Sequence, residues 1–246
     1  MTSGVAEIAL DFLGRGGKRL RPRLCKAVFL KCGGKGAIDA VCDAVECFHK
    51  ASLVHDDIQD GDEVRYGLPT LWKEHGVPLA IAAGDWLVAH GYRMICESGF
   101  AAVPQMLRAA VASHERLCEG QGDDIMFQGG PHPGGPRLGG PRFVAATTDG
   151  TKPVPPIAAF QTYLSICERK TGEAFALAAQ LGALAAGADD APFRQYGLSY
   201  GMLFQINDDL ADDDCDAVRR AGLLELKRKY EDETAVHRDK CAIGVW

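Results

Sequence analysis

Apolar positions recur along most of this chain every three to four residues. Over 37–60 (AIDAVCDAVECFHKASLVHDDIQD), Ile38, Val41, Cys42, Val45, Phe48, Ser52 and Leu53 keep helical spacing without Gly or Pro until Gly61, which predicts an amphipathic helix burying one face. Ala/Leu-rich stretches over 78–96, 101–127, 157–187 and 192–212 predict further long helices. No run of period two stands between turn residues, so the predicted class is all-α: long antiparallel helices packed as a bundle whose interior can hold a ligand. One segment breaks the pattern. Residues 129–141 (GGPHPGGPRLGGP) hold six glycines and four prolines, and DGTKPVPP continues in the same vein, so a loop at about 129–156 is expected to interrupt a single domain spanning 1–246.

The 246 residues are 47% hydrophobic and 24% charged, ordinary globular values that exclude a disordered chain or a collagen-like repeat. No window approaches the ~18–20 uninterrupted apolar residues of a membrane span, and the first residues show no signal-peptide pattern, so the expectation is a cytoplasmic protein without an integral membrane segment. A net charge of −6 and a pI near 5.6 argue against a nucleic-acid partner. The basic residues are local, at Lys18, Arg19, Arg21 and Arg23 and again at Arg219, Arg220, Lys227, Arg228 and Lys229, an arrangement that serves a small anion. None of the nine cysteines forms a CxxC pair, so reduced core thiols are expected.

Chemistry enters with His55-Asp56-Asp57-Ile58-Gln59-Asp60 at the end of the first predicted helix. Asp56 and Asp60 are an i,i+4 pair of like charges, which destabilises a helix unless a cation neutralises it. Mg²⁺ does so with one or two carboxylates while sharing its remaining positions with water and substrate phosphates. The segment Tyr200 to Asp212 repeats the spacing in Asp208, Asp209 and Asp212. Two such clusters on two helices, with Mg²⁺ between them, would make a receptor for a diphosphate. Upstream, Gly16-Gly17-Lys18-Arg19-Leu20-Arg21-Pro22 places a glycine turn before Lys18 and Arg21, a setting that can seat a second anion without metal.

GGKRLRP, FHKASLVHDDIQDGDEVRYGLPT, AGDWL, EGQGDD, RKTGEAF and GMLFQINDDLADD, in that order, resemble the trans-isoprenyl diphosphate synthases, the polyprenyl synthetase family, over roughly 14–128 and 160–212. The resemblance implies an isoprenoid-synthase-type helical bundle around a central cavity, usually a homodimer. It implies a Mg²⁺-dependent prenyltransferase that joins isopentenyl diphosphate to an allylic diphosphate. Matched residue by residue, Asp56, Asp57 and Asp60 form the first aspartate-rich motif and Asp208, Asp209 and Asp212 the second, both binding allylic diphosphate through Mg²⁺. Lys18, Arg21 and His49 match the isopentenyl diphosphate ligands, and Arg65, Lys170, Thr171 and Gln205 match allylic-diphosphate contacts. The implied chemistry is ionisation of the allylic C–O bond, attack by the isopentenyl double bond and loss of a proton, with no side-chain nucleophile.

Chain length is expected to be set by side chains one and two turns before Asp56. Ser52 and Ala51 are small and Phe48 is the first bulky candidate for a floor, which predicts products of twenty carbons or more. Two departures from the family pattern stand out. Tyr66 occupies the place of a second arginine, removing a cationic donor, so Tyr66→Arg is expected to tighten isopentenyl diphosphate. The residues after Asp212 lack the glycine-lysine segment expected there, which marks a divergent or truncated C-terminus. Two alternatives follow: a terpene synthase acting on an allylic diphosphate, which Tyr66 favours and Lys18, Arg21 and His49 oppose, or a non-catalytic subunit of a heteromeric synthase, which the C-terminus favours and the six carboxylates oppose.

Overall fold

A computed structural model describes residues 4–127, 156–211 and 217–241. Ten α-helices account for most of them: α1 (Gly4–Gly14), α2 (Leu20–Lys31), α3 (Asp39–Asp60), α4 (Leu71–His75), α5 (Val77–Cys96), α6 (Val103–Phe127), α7 (Pro156–Cys167), α8 (Glu173–Ala185), α9 (Ala191–Ala211) and α10 (Ala217–Cys241). The all-α expectation holds, with one addition that periodicity did not signal. Val64–Arg65 (β1) and Leu68–Pro69 (β2) pair antiparallel, Val64 with Pro69 and Arg65 with Leu68. Strands of two residues are too short to show an alternation. The loop expected at 129–156 lies outside the described residues apart from Pro156, which opens α7, and Asp212 also lies outside them.

The described chain forms two compact units. One holds residues 4–110 and 178–190; the other holds residues 111–127, 156–177, 191–211 and 217–241. The first unit's core gathers Phe12 of α1, Cys47, Ala51 and Val54 of α3, Leu71 of α4 and Ala80, Ala83 and Leu87 of α5, all at most 1% exposed. Small residues on α5 bring it close to α3: a Cβ on Gly91 would come within 2.7 Å of the Phe48 ring. The second unit's core is built from Tyr163, Cys167, Met202, Ile206, Leu223 and Leu226. Burial pushes the thiols of Cys47 and Cys167 up to about 12, so both remain protonated core groups.

Candidate active site

In the first unit, α3 runs 22 residues and stops at Gly61, whose φ of 71° only glycine adopts readily; the Asp62 N–H closes the turn on Asp57 O at 2.9 Å. The three aspartates therefore occupy the last turns of the helix, where the backbone dipole already presents negative charge. That placement is unfavourable without cations. Asp57 is only 1% exposed and turns inward, accepting from Arg65 Nε at 2.5 Å, while its Oδ2 is buried without a hydrogen-bond partner. Burial pushes the Asp57 carboxyl up against the pull of Arg65. Asp56 and Asp60 are half-buried on another face, which Phe48 and Ser52 continue at four-residue spacing. Arg65 arrives on the hairpin, whose two central residues, Tyr66 and Gly67, have φ of 54° and 78°. Two positive φ values mark a primed hairpin turn, and a tyrosine there carries a strain of roughly 1–2 kcal/mol. Packing against Gly16 and Lys50 holds it in place.

The glycine turn predicted before Lys18 is present: Gly16 and Gly17 have φ of 40° and 99°, and Arg19 of 50° precedes α2. Pro22 lies in the first turn of α2, where its missing N–H is not needed. Lys18 is exposed, while Arg21 reaches His49, with Nη1 3.3 Å from Nε2. A guanidinium only donates, so Nε2 accepts and the ring proton sits on Nδ1. Burial and then the neighbouring cations Arg21, Lys50 and Arg65 push His49 down to about 2, and burial lowers Arg21 to about 10. His49 is thus a neutral imidazole with an N–H to offer. Arg21 and Arg65 thus flank the neutral His49, and Lys18 stands exposed on the turn before α2.

In the second unit, α7 passes into α8 through a π-helical turn, Glu168–Gly172, which carries Lys170 and Thr171; such turns often mark functional sites. Gly197 and Gly201 let α9 approach it backbone to backbone, since a Cβ on Gly201 would come within 2.8 Å of Gly172 Cα. Thr171 Oγ1 consequently donates to Gln205 Oε1 at 2.6 Å, and Gln205 Nε2 donates to Asp209 Oδ1 at 3.0 Å. Tyr163 Oη donates to Asp209 Oδ2, so both oxygens of this buried carboxylate have donors. Lys170 pairs with Asp124 Oδ2 at 2.5 Å. Asp208 is exposed and borders a cavity of about 280 Å³ with Tyr200, Leu203, Phe204, Asn207 and Ala211.

Among the described residues no three acidic, histidine or cysteine side chains are gathered tightly enough to hold a metal ion alone. Two half-buried carboxylates one turn apart, on another face of α3 from Asp57, fit a hard cation that completes its shell from diphosphate and water. Of the residues expected to set chain length, Phe48 and Ser52 lie on the Asp56 stripe. Ala51 is 1% exposed, in the core with Phe12 and Leu87.

The sequence model of the polyprenyl synthetase family matches residues 3–218. The chain belongs to this family. A geranylgeranyl diphosphate synthase of Cereibacter sphaeroides is 32% identical over 96% of this chain and 78% of that protein. Against several other curated family members the chain spans about half to three fifths of their length. Among solved structures, a geranyltranstransferase of Thermotoga maritima shares the fold with a TM-score of 0.78 at 23% identity, covering 98% of this chain and 85% of that one. A polyprenyl synthase of Caulobacter crescentus, complexed with calcium and isoprenyl diphosphate, is 28% identical with a TM-score of 0.68, over 85% of this chain and 58% of that one.

Within this family member, sequence reasoning missed Glu46, Lys50 and Tyr163. Glu46 and Lys50 sit inside the α3 stripe at 2% and 0% exposure, where charged letters in a helix suggest a solvated face. Tyr163 resembles any core aromatic until its 46-residue-distant partner Asp209 is known.

Proposed function

We propose that this protein is a Mg²⁺-dependent prenyltransferase that condenses isopentenyl diphosphate with an allylic diphosphate to an all-trans product of twenty carbons or more. The observation that carries the proposal is the first unit's pairing of Arg21, neutral His49 and Arg65, on α2, α3 and the hairpin, with Asp56 and Asp60 one turn apart at the end of α3. The names of the relatives, among them geranylgeranyl and geranylfarnesyl diphosphate synthases, support the product class.

Asp56 and Asp60, which face outward on α3, would hold the metal in the first unit, and Asp208 offers an exposed carboxylate in the second. When bound, Mg²⁺ supplies neutralisation of the charge that develops on the departing diphosphate. Asp57 anchors Arg65 through the 2.5 Å contact, aiming a guanidinium at the allylic diphosphate, and in the second unit the π-helical turn presents the Lys170 ammonium as a further diphosphate ligand. Asp209, occupied by Tyr163 and Gln205, fixes the end of α9 and with it the direction of Asp208. Lys18, Arg21 and the Nδ1–H of neutral His49 bind the isopentenyl diphosphate, and no residue acts as a nucleophile. Apolar side chains along the Asp56 stripe, Phe48 foremost, keep water from the cation formed on the substrate. The proposal includes a homodimer acting in the cytoplasm, both taken over from the family and tested by sedimentation and by cell fractionation.

Incubation with Mg²⁺, labelled isopentenyl diphosphate and each short allylic diphosphate tests the function. Chain-extended product supports it. A cyclised or hydrolysed allylic substrate without use of isopentenyl diphosphate would indicate a terpene synthase.

A further inference from the structure

The first unit buries one lysine completely, and nothing in the proposed mechanism uses it. Lys50 follows His49 on α3 and is 0% exposed. Its Nζ donates to Arg15 O and, at 3.1 Å, to Gly16 O, the carbonyls that open the turn leading to Lys18. The same ammonium stands 4.3 Å from the centre of the Tyr66 ring and 5.3 Å from that of Phe12. Among the described residues it makes no ion pair. The nearest buried acid, Glu46, lies one turn back at 2% exposure, and its Oε2 has no hydrogen-bond partner.

These groups converge beside the turn. A Cβ on Gly17 would meet Tyr66 Oη at 3.5 Å, Lys50 Nζ at 3.8 Å and Glu46 Oε1 at 3.9 Å, and one on Gly16 would strike the Tyr66 ring at 2.7 Å. The turn needs glycines because Lys50 and Tyr66 fill the space beneath it. Arg15, Arg19 and Arg65 are paired with Asp11 and Glu74, with Asp43, and with Asp57 and Asp62, while Lys50 and Arg21 lie beside one buried carboxylate, Glu46, and burial with the neighbouring cations lowers Lys50. A buried ammonium that makes no ion pair among the described residues, beside a glycine turn, is a setting that an anion stabilises.

We propose that Lys50, stacked on Tyr66, is the positioning cation of a metal-free diphosphate subsite on the Gly16–Arg21 turn. It engages the Arg15 and Gly16 carbonyls, which would otherwise repel the anion, and supplies the positive charge that position 66 lacks. The inference rests on the proposed function for the identity of the ligand as isopentenyl diphosphate. Positions 50 and 66 then act as one unit. Contrary to the expectation from sequence, Tyr66→Arg forces a guanidinium onto an ammonium already buried there and weakens the subsite, unless Lys50 is removed with it.

The test measures binding of inorganic diphosphate, without divalent metal, by calorimetry on the wild type, Lys50→Met, Tyr66→Arg and the double variant. Each single change should weaken binding by about tenfold or more, and the double variant should regain most of the loss. In turnover, Lys50→Met should raise KM for isopentenyl diphosphate while KM for the allylic substrate and kcat hold. Wild type that binds no diphosphate without metal, Lys50→Met that binds it normally, or a double variant no better than the singles overturns the inference. Tyr66→Arg keeps the buried lysine, so it decides the question if Lys50→Met does not fold: tighter binding refutes the coupling. Wild type that binds diphosphate yet condenses nothing counts against the proposed function alone.

Discussion

The two faces of the first aspartate motif separate chemistry from architecture at single residues. Asp56→Ala removes an outward carboxylate and should cut turnover by orders of magnitude with the melting temperature nearly unchanged. Asp57→Ala breaks a buried pair with Arg65 and should cost about 3 kcal/mol of stability as well, read from chemical denaturation. His49 sets a pH dependence. Its folded value near 2 lies below the ordinary 6.5, so on acidification the unfolded chain takes up the proton first. Its contribution is fully present above pH 6.5 and is lost as pH falls toward 2, although raised Glu46 and Asp57 act in the opposite sense. His49→Asn should therefore lose less stability than wild type between about pH 7 and pH 5 in thermal melts. Asp56 and Asp60 were legible because helical spacing put them at one end of α3, and His49 because its place before the aspartates matched the family pattern. Lys50 and Glu46 were not, since their partners Arg15, Gly16 and Tyr66 lie on other elements, and only the folded chain brings them beside each other.

Elements explain what sequence periodicity leaves open. The stripe on α3 was readable from Val41 to Leu53 and its end from Gly61, so the predicted 37–60 and the observed Asp39–Asp60 nearly coincide. The hairpin and the π-helical turn were not readable: strands of two residues show no period, and a π turn adds one residue to a pattern that still looks helical. The turn nevertheless depends on sequence, through glycines. Gly201→Ala places a methyl against Gly172 Cα and Thr171 O, so it should push α9 away, break the Thr171–Gln205 bond and cost about 1–3 kcal/mol, with turnover falling alongside. The proposal puts the length determinant on the Asp56 stripe as well. Phe48 packs on Gly91 and meets the tilted ring of Tyr92 at 5.0 Å between ring centres, whereas Ser52 is exposed. Ser52→Phe should shorten the product and Phe48→Ala lengthen it; a Phe48→Ala protein that is less stable but makes the same product would mark Phe48 as core alone.

At the scale of the whole molecule, the residues proposed for the chemistry divide between the units: the first has the cationic turn and Asp56, Asp57 and Asp60, the second Lys170, Asp208 and Asp209. The family and the helical class were legible because six motifs kept their order along the chain. The division into two units was not, because α6 and α8 cross the boundary without any break in their periodicity. The central claim is condensation by metal-dependent ionisation, and the direct measurement is chromatography of dephosphorylated products from labelled isopentenyl diphosphate and a short allylic diphosphate, with and without Mg²⁺. The predicted result is an all-trans product of twenty carbons or more that appears only with Mg²⁺. Condensation that proceeds equally with chelator present, or a wild-type product of fifteen carbons or fewer, would contradict it.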